Sequence, residues 1–159
     1  MLLVEQGLTL IGDWRFTAYD GTIEEDDLGR VLNPVVWYQF KRNLITTNGK
    51  ALSLDRLYGL GGAVALSGTA VGTSATAAAV GDTALTGSVY QAFDATPTRS
   101  SLVVTSNTTY GTGAANINIQ EAGLMTASGG VLFNRLAPIG PFNKTSAVSL
   151  RVQVQITQA

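Results

Sequence analysis

Within IQEAGLMTASGGVLFNR, residues 119–135, a lone carboxylate, Glu121, sits among apolar and small residues, and the next charge along the chain is Arg135. A carboxylate in such company serves as a general acid with a raised pKa, as a ligand-binding group, or as a structural pin neutralised by a guanidinium. The chain offers it few partners for catalysis. There is no cysteine and no histidine, which removes disulfides, thiol nucleophiles, imidazole bases and zinc sites of the usual ligand types. The other acidic residues gather in DGTIEEDD, where Asp20, Glu24, Glu25, Asp26 and Asp27 could offer oxygens to a hard cation. Their spacing matches no standard calcium loop, and charge runs usually face solvent, so no metal is assigned. Glycoside hydrolysis needs two carboxylates about 5 to 9.5 Å apart, and Glu121 with a member of this loop is the only conceivable pair.

The remaining motifs are weaker. Gly59-Leu60-Gly61-Gly62 has the glycines of a phosphate loop without its Lys-Ser/Thr ending. Trp14, Tyr19, Trp37, Tyr38 and Tyr90 could form a sugar-stacking platform, the route to a carbohydrate-binding module; the commoner use of aromatics in a β protein is as cross-strand core pairs. None of Lys41, Lys50 and Lys144 stands in an SxxK context. The expectation is a protein with no catalytic residue and no cofactor.

The elements that position these residues are mostly strands. From Ala147 to Thr157, Val148, Leu150, Val152, Val154 and Ile156 alternate with Ser149, Arg151, Gln153, Gln155 and Thr157, the pattern of a half-buried strand. Further strands are expected at 14–19, 35–40, 89–93, 102–105, 115–121 and 131–137, separated by turn signals such as Asp20-Gly21, Asn33-Pro34 and Gly140-Pro141. One helix is expected at Lys50–Tyr58, its stripe Leu54, Leu57 and Tyr58 capping an open end of the sheets. Between Leu66 and Gly87, seventeen of twenty-two residues are Ala, Gly, Ser or Thr. Such a segment reads as a mobile loop or weak edge strand, or as a loop ordered by a neighbouring subunit. The fold class is mainly β: a single domain over residues 1–159, an antiparallel β-sandwich of jelly-roll-like or immunoglobulin-like type with one short helix.

If Ala127-Ser128-Gly129 is a three-residue hairpin loop with glycine in the left-handed position, Met125 faces Val131, Gly123 faces Phe133 and Glu121 faces Arg135. The pair then shares a face with Ile117, Ile119, Val131 and Phe133. On this reading Glu121 and Arg135 form a structural ion pair that fixes hairpin register.

Charge bounds the partners. Ten Lys+Arg against eleven Asp+Glu leave a net charge of −1, with no basic patch for nucleic acid. Only 13% of residues are charged and mean hydropathy is +0.21, whereas about 25% charged is ordinary for a soluble domain. Much of the surface is therefore expected to be covered by other subunits. No run reaches the ~18 apolar residues that span a membrane, and the first eleven residues lack the basic flank of a signal peptide. Residues 1–12, with Leu2, Leu3, Val4, Leu8, Leu10 and Ile11, are instead expected to be an arm that docks on a neighbour.

The order of motifs adds a resemblance. NLITTNGKALSLDRLYG, VGTSATAAAVGDTAL, INIQEAGLM and VLFNRLAPIGPFNKTSAVSLRVQVQI together resemble a family of small bacteriophage virion proteins. The shared features are a strand-to-helix opening with Asn43 and Gly49, and a small-residue segment ending near Asp82-Thr83-Ala84-Leu85. An E-x-G-L signature at Glu121–Leu124, an Arg-containing strand around Arg135 and a closing Lys-Thr-x-x-x-x-Leu strand from Lys144 to Leu150 complete the set. It covers residues 43–157. The resemblance implies a β-sandwich structural component of a phage particle, assembled in the bacterial host cytoplasm and residing in the virion. It would be a head decoration (cement) protein, forming a homo-oligomer, most plausibly a trimer, on the major capsid protein, or alternatively a tail, baseplate or fibre part that contacts the host surface.

Overall fold

The computed structural model describes residues 10–62 and 64–158. Two antiparallel β layers enclose the core, with one helix. The first layer holds five strands: β1 (Leu10–Asp20), β2 (Val35–Arg42), β6 (Thr98–Ser100), β7 (Val103–Tyr110) and β12 (Val148–Gln158), in the order β2-β1-β12-β7-β6. The closing strand runs as its alternation predicts and sits at the centre, paired to β1 from Asp20↔Val148 to Leu10↔Gln158.

The second layer is built on β4 (Gly68–Gly72), flanked by β5 (Val89–Ala92) and β9 (Glu121–Met125). Beyond β9, bridges Ala122↔Leu136 and Met125↔Leu132 add the segment holding β10 (Asn134–Arg135), and β10 pairs with β3 (Leu44–Ile45). A small ladder joins β8 (Asn118–Ile119) to β11 (Phe142–Asn143). Trp14, Phe16, Leu150, Val152 and Val154 from the first layer meet Val71, Ala122, Leu124, Phe133 and Leu136 from the second in one buried cluster. Trp37 stacks on Phe142 with ring centroids 4.4 Å apart, and Trp14 stacks on Phe16 at 5.7 Å. Both tryptophans are therefore core pairs.

The small-residue segment corrects the sequence reading. Residues 68–72 are neither mobile nor an edge: β4 is the central strand of its sheet, and all five residues are buried. Neighbouring segments crowd its outer face. A Cβ on Gly68 would collide with the Gln91 carbonyl and the Tyr90 ring, and one on Gly72 would lie 2.6 Å from Glu121 Oε1. Small residues are what such close packing admits, so composition alone conceals a core strand.

Helix α1 (Thr47–Tyr58) begins three residues earlier than expected. Thr46 caps it, its hydroxyl accepting the Gly49 amide at 3.0 Å, and Gly59 ends it in the left-handed conformation at φ 63°. The expected stripe does not face the sheets: Leu54, Leu57 and Tyr58 are 56%, 74% and 72% exposed. Gly49 sits against the Phe133 carbonyl with no room for a Cβ. That contact turns Gly49 and Leu52 inward and rolls the stripe out.

Candidate functional site

Alternation along β9 sends Ala122 and Leu124 into the core between the layers. Gly123 and Met125 go to the outer face of the second layer, where Met125 packs with Ala70 and Leu132 against Leu85. Glu121 shares that outer face, fully buried beneath residues 73–87. Arg135 lies beside it, with only 6% of its side chain exposed.

The structure brings Glu121 and Arg135 together. Arg135 Nε donates to Glu121 Oε2 at 2.8 Å, and Nη2 lies 2.8 Å from the same oxygen. The other carboxylate oxygen, Oε1, accepts the Thr86 amide at 2.6 Å and the Ser74 amide at 3.2 Å. Arg135 extends the network in the opposite direction. Its Nη1 donates to Asp82 Oδ2 at 2.7 Å and to the Ala77 carbonyl at 3.3 Å, and Nη2 donates to the Thr76 carbonyl at 3.0 Å. Asp82 Oδ2 also accepts the Ala79 amide at 2.7 Å. One guanidinium thus gathers two carboxylates and two backbone carbonyls, and both oxygens of Glu121 are filled by donors. A fixed carboxylate saturated in this way is a pin, with no lone pair directed at a substrate.

The electrostatics follow from these contacts. The Ala79 amide, then the Arg135 hydrogen bond, hold the Asp82 carboxyl below its ordinary range. Burial disfavours the charge on Arg135, but Asp82 and Glu121 outweigh it and keep the guanidinium more firmly protonated than usual.

The expected hairpin register is corrected. Gly129 is left-handed at φ 67°, but Thr126 N–H bonds Val131 O and Gly130 N–H bonds Ala127 O, so the loop holds four residues. Met125 pairs with Leu132, and Ala122 with Leu136. The partner of Glu121 is reached diagonally through the length of the arginine, and Ile119 and Phe133 face the inter-layer core instead. What the pair fastens is the segment 73–87, through bonds to Ser74, Thr76, Ala77 and Thr86.

Sequence reasoning missed three polar pins. Asp82 is the only charge between Arg56 and Asp94, the same signal of isolation that singles out Glu121. Lys144, the only charge between Arg135 and Arg151, is 1% exposed. It donates to the Gly111 carbonyl at 2.8 Å and to Asn116 Oδ1 at 3.1 Å, and burial pulls its pKa down. Thr46 donates to the Leu132 carbonyl at 2.7 Å while capping α1.

The other candidates lie apart from this network. Leu10 and Ile11, expected in an arm, belong to β1, and Leu10 packs on the core; Leu2, Leu3, Val4 and Leu8 lie outside the described residues. The acidic loop is a tongue closed by the Glu25↔Val31 bridge, with Asp26 paired to Arg30 at 2.6 Å and Glu25 to Arg151 at 2.6 Å. Among the described residues, no three His, Cys, Asp or Glu side chains are grouped to hold a metal ion, and no helix is long and apolar enough to cross a membrane. Gly59-Leu60-Gly61-Gly62 ends α1, with the Leu60 amide on the Asp55 carbonyl at 2.8 Å. A helix C-terminus carries the wrong dipole sign for phosphate.

No family model, curated protein or solved structure matches the chain.

Proposed function

We propose that this protein is a non-enzymatic structural subunit of a bacteriophage particle, acting by assembly: it forms a homo-oligomer and decorates or cements the capsid. One observation carries the assembly part. Among the described residues, fifteen large apolar side chains are exposed, Leu57, Leu28 and Tyr58 by more than 70%, on a chain with 13% charged residues. Apolar surface this abundant on so weakly charged a domain suits burial against other subunits. The saturated Glu121–Arg135–Asp82 network supports the non-enzymatic part, since its strongest polar cluster serves packing. The virion assignment rests on the order of motifs from Asn43 to Ile156. Electron cryo-microscopy of particles from a phage encoding the chain tests it. Density for the sandwich on the capsid surface is the expected result; density in the tail moves the protein to a tail or fibre role, and its absence from the particle refutes the assignment.

A further inference from the structure

We propose that the free edge of β2 is the docking site for a second copy of this chain, pairing antiparallel about a two-fold axis near Gln39. The inference rests on the self-assembly reading above and names its contact; it is independent of the virion assignment.

Among the described residues, β2 ends the five-stranded sheet with no strand beyond it. Its hydrogen-bonding phase is set by the Asn43 amide, which bonds the Gly12 carbonyl at 3.1 Å, together with the register Asp13↔Arg42 to Ala18↔Trp37. Antiparallel pairs alternate between bonded and non-bonded, so Trp37, Gln39 and Lys41 bond to β1. The amides and carbonyls of Tyr38, Phe40 and Arg42 face outward from the sheet edge. The side chains obey the same alternation: Trp37 packs inward on Phe142, and Gln39 accepts the Gly140 amide at 3.1 Å. Tyr38 and Phe40 stand outside, 57% and 46% exposed.

A long apolar edge with open backbone groups is a template for another strand, and natural proteins normally guard it with charge, proline or a bulge. Here Pro34 and the Lys41-Arg42 pair mark the two ends, and the one irregularity, at Val36 where the register passes from Ala18↔Trp37 to Tyr19↔Val35, lies near the first and leaves Trp37 to Arg42 regular. Between them, Val35 and Val36 are also more than half exposed, as is the adjoining Leu32. Five such side chains supply on the order of 500 Å² per copy before the paired backbones are added, approaching the ~800 Å² per partner of a standard interface.

Charge selects a second copy and its direction. The basic end of β2 carries Lys41, beside an Arg42 already paired to Asp13 at 3.0 Å, and the opposite end continues from the acidic tongue holding Glu24 and Asp27. Antiparallel two-fold pairing sets the basic end of each copy beside the tongue end of the other. Parallel pairing would set Lys41 beside Lys41.

Hydrogen exchange of the full chain, read residue by residue at high and low protein concentration, tests the contact, with mass measured in parallel by sedimentation. The expected result is a period-two pattern that depends on concentration: Tyr38, Phe40 and Arg42 amides slow in the oligomer and fast on dilution, with Trp37, Gln39 and Lys41 slow throughout. Tyr38→Lys with Phe40→Lys should weaken association by at least about tenfold, whereas Thr98→Lys with Ser100→Lys, exposed on the opposite edge strand β6, should leave it unchanged. An oligomer in which the Tyr38 and Phe40 amides exchange fast at every concentration overturns the edge contact and leaves self-assembly standing. Protection of those amides in a monomer overturns it in favour of cover by the chain's own segment. A monomer with the edge amides fast at every concentration overturns both readings.

Discussion

Glu121 and Arg135 meet diagonally across the outer face of the second layer, Nε to Oε2 at 2.8 Å, and between them they tie down residues 73–87. Removing Arg135 leaves the fully buried Glu121 carboxylate without a cation, whereas removing Glu121 leaves Arg135 its bond to Asp82. Arg135→Ala should therefore cost about 3 to 5 kcal/mol of unfolding free energy, and Glu121→Ala less. Arg135→Lys should rescue little, because an ammonium cannot span two carboxylates and two carbonyls in the guanidinium plane. Urea unfolding of both single variants and the double checks this; additive costs would mean that the side chains do not interact.

Asp82 gives the network an acid limit. Its folded pKa lies below the ordinary 3.8, through the Ala79 amide and Arg135. The unfolded chain therefore takes up this proton first as pH falls, so the stabilisation is complete above the ordinary carboxylate range and is lost as pH drops through the folded value. Asp82→Asn should flatten the urea midpoint against pH in that acidic window and leave the rest of the profile intact. A profile unchanged by the substitution would refute the link.

Lys144 acts at the alkaline end with the opposite consequence. Burial lowers its pKa from 10.5, so between the folded value and 10.5 the unfolded state holds more protons and stability rises with pH. Lys144→Met removes the charge and its bonds to Gly111 and Asn116, and should abolish that rise. Unfolding midpoints of the two proteins across the alkaline range provide the measurement.

Gly49 is a steric requirement. A Cβ there would collide with the Phe133 carbonyl, whereas one at Gly113 meets nothing within 4 Å. Gly49→Ala should cost at least about 2 to 3 kcal/mol as helix and strand move apart, and Gly113→Ala should be nearly neutral. Thermal or urea denaturation of the two variants compares them directly.

Much of this was legible in the sequence. Period-two alternation placed β12, and the isolation of Glu121 and Arg135 between neutral residues marked both as buried partners. The same rule, applied to Asp82 and Lys144, would have found the rest of the pins. β4 was not legible, because GTAVG has no alternation and its burial comes from glycines that admit Glu121 and Tyr90 at close range. The hairpin register was lost to a loop one residue longer than the left-handed glycine suggested. The outward roll of α1 depends on the contact of Gly49 with a carbonyl some eighty residues distant in the chain, which local periodicity cannot report.

The central claim, that exposed apolar surface on this weakly charged sandwich is assembly surface, is tested most directly by sedimentation equilibrium of the purified chain. The account predicts a concentration-dependent mass above that of the 16.6 kDa protomer, at or below the micromolar range typical of a modest interface, Kd ~1 μM. A single 16.6 kDa species persisting at many times that concentration would contradict it.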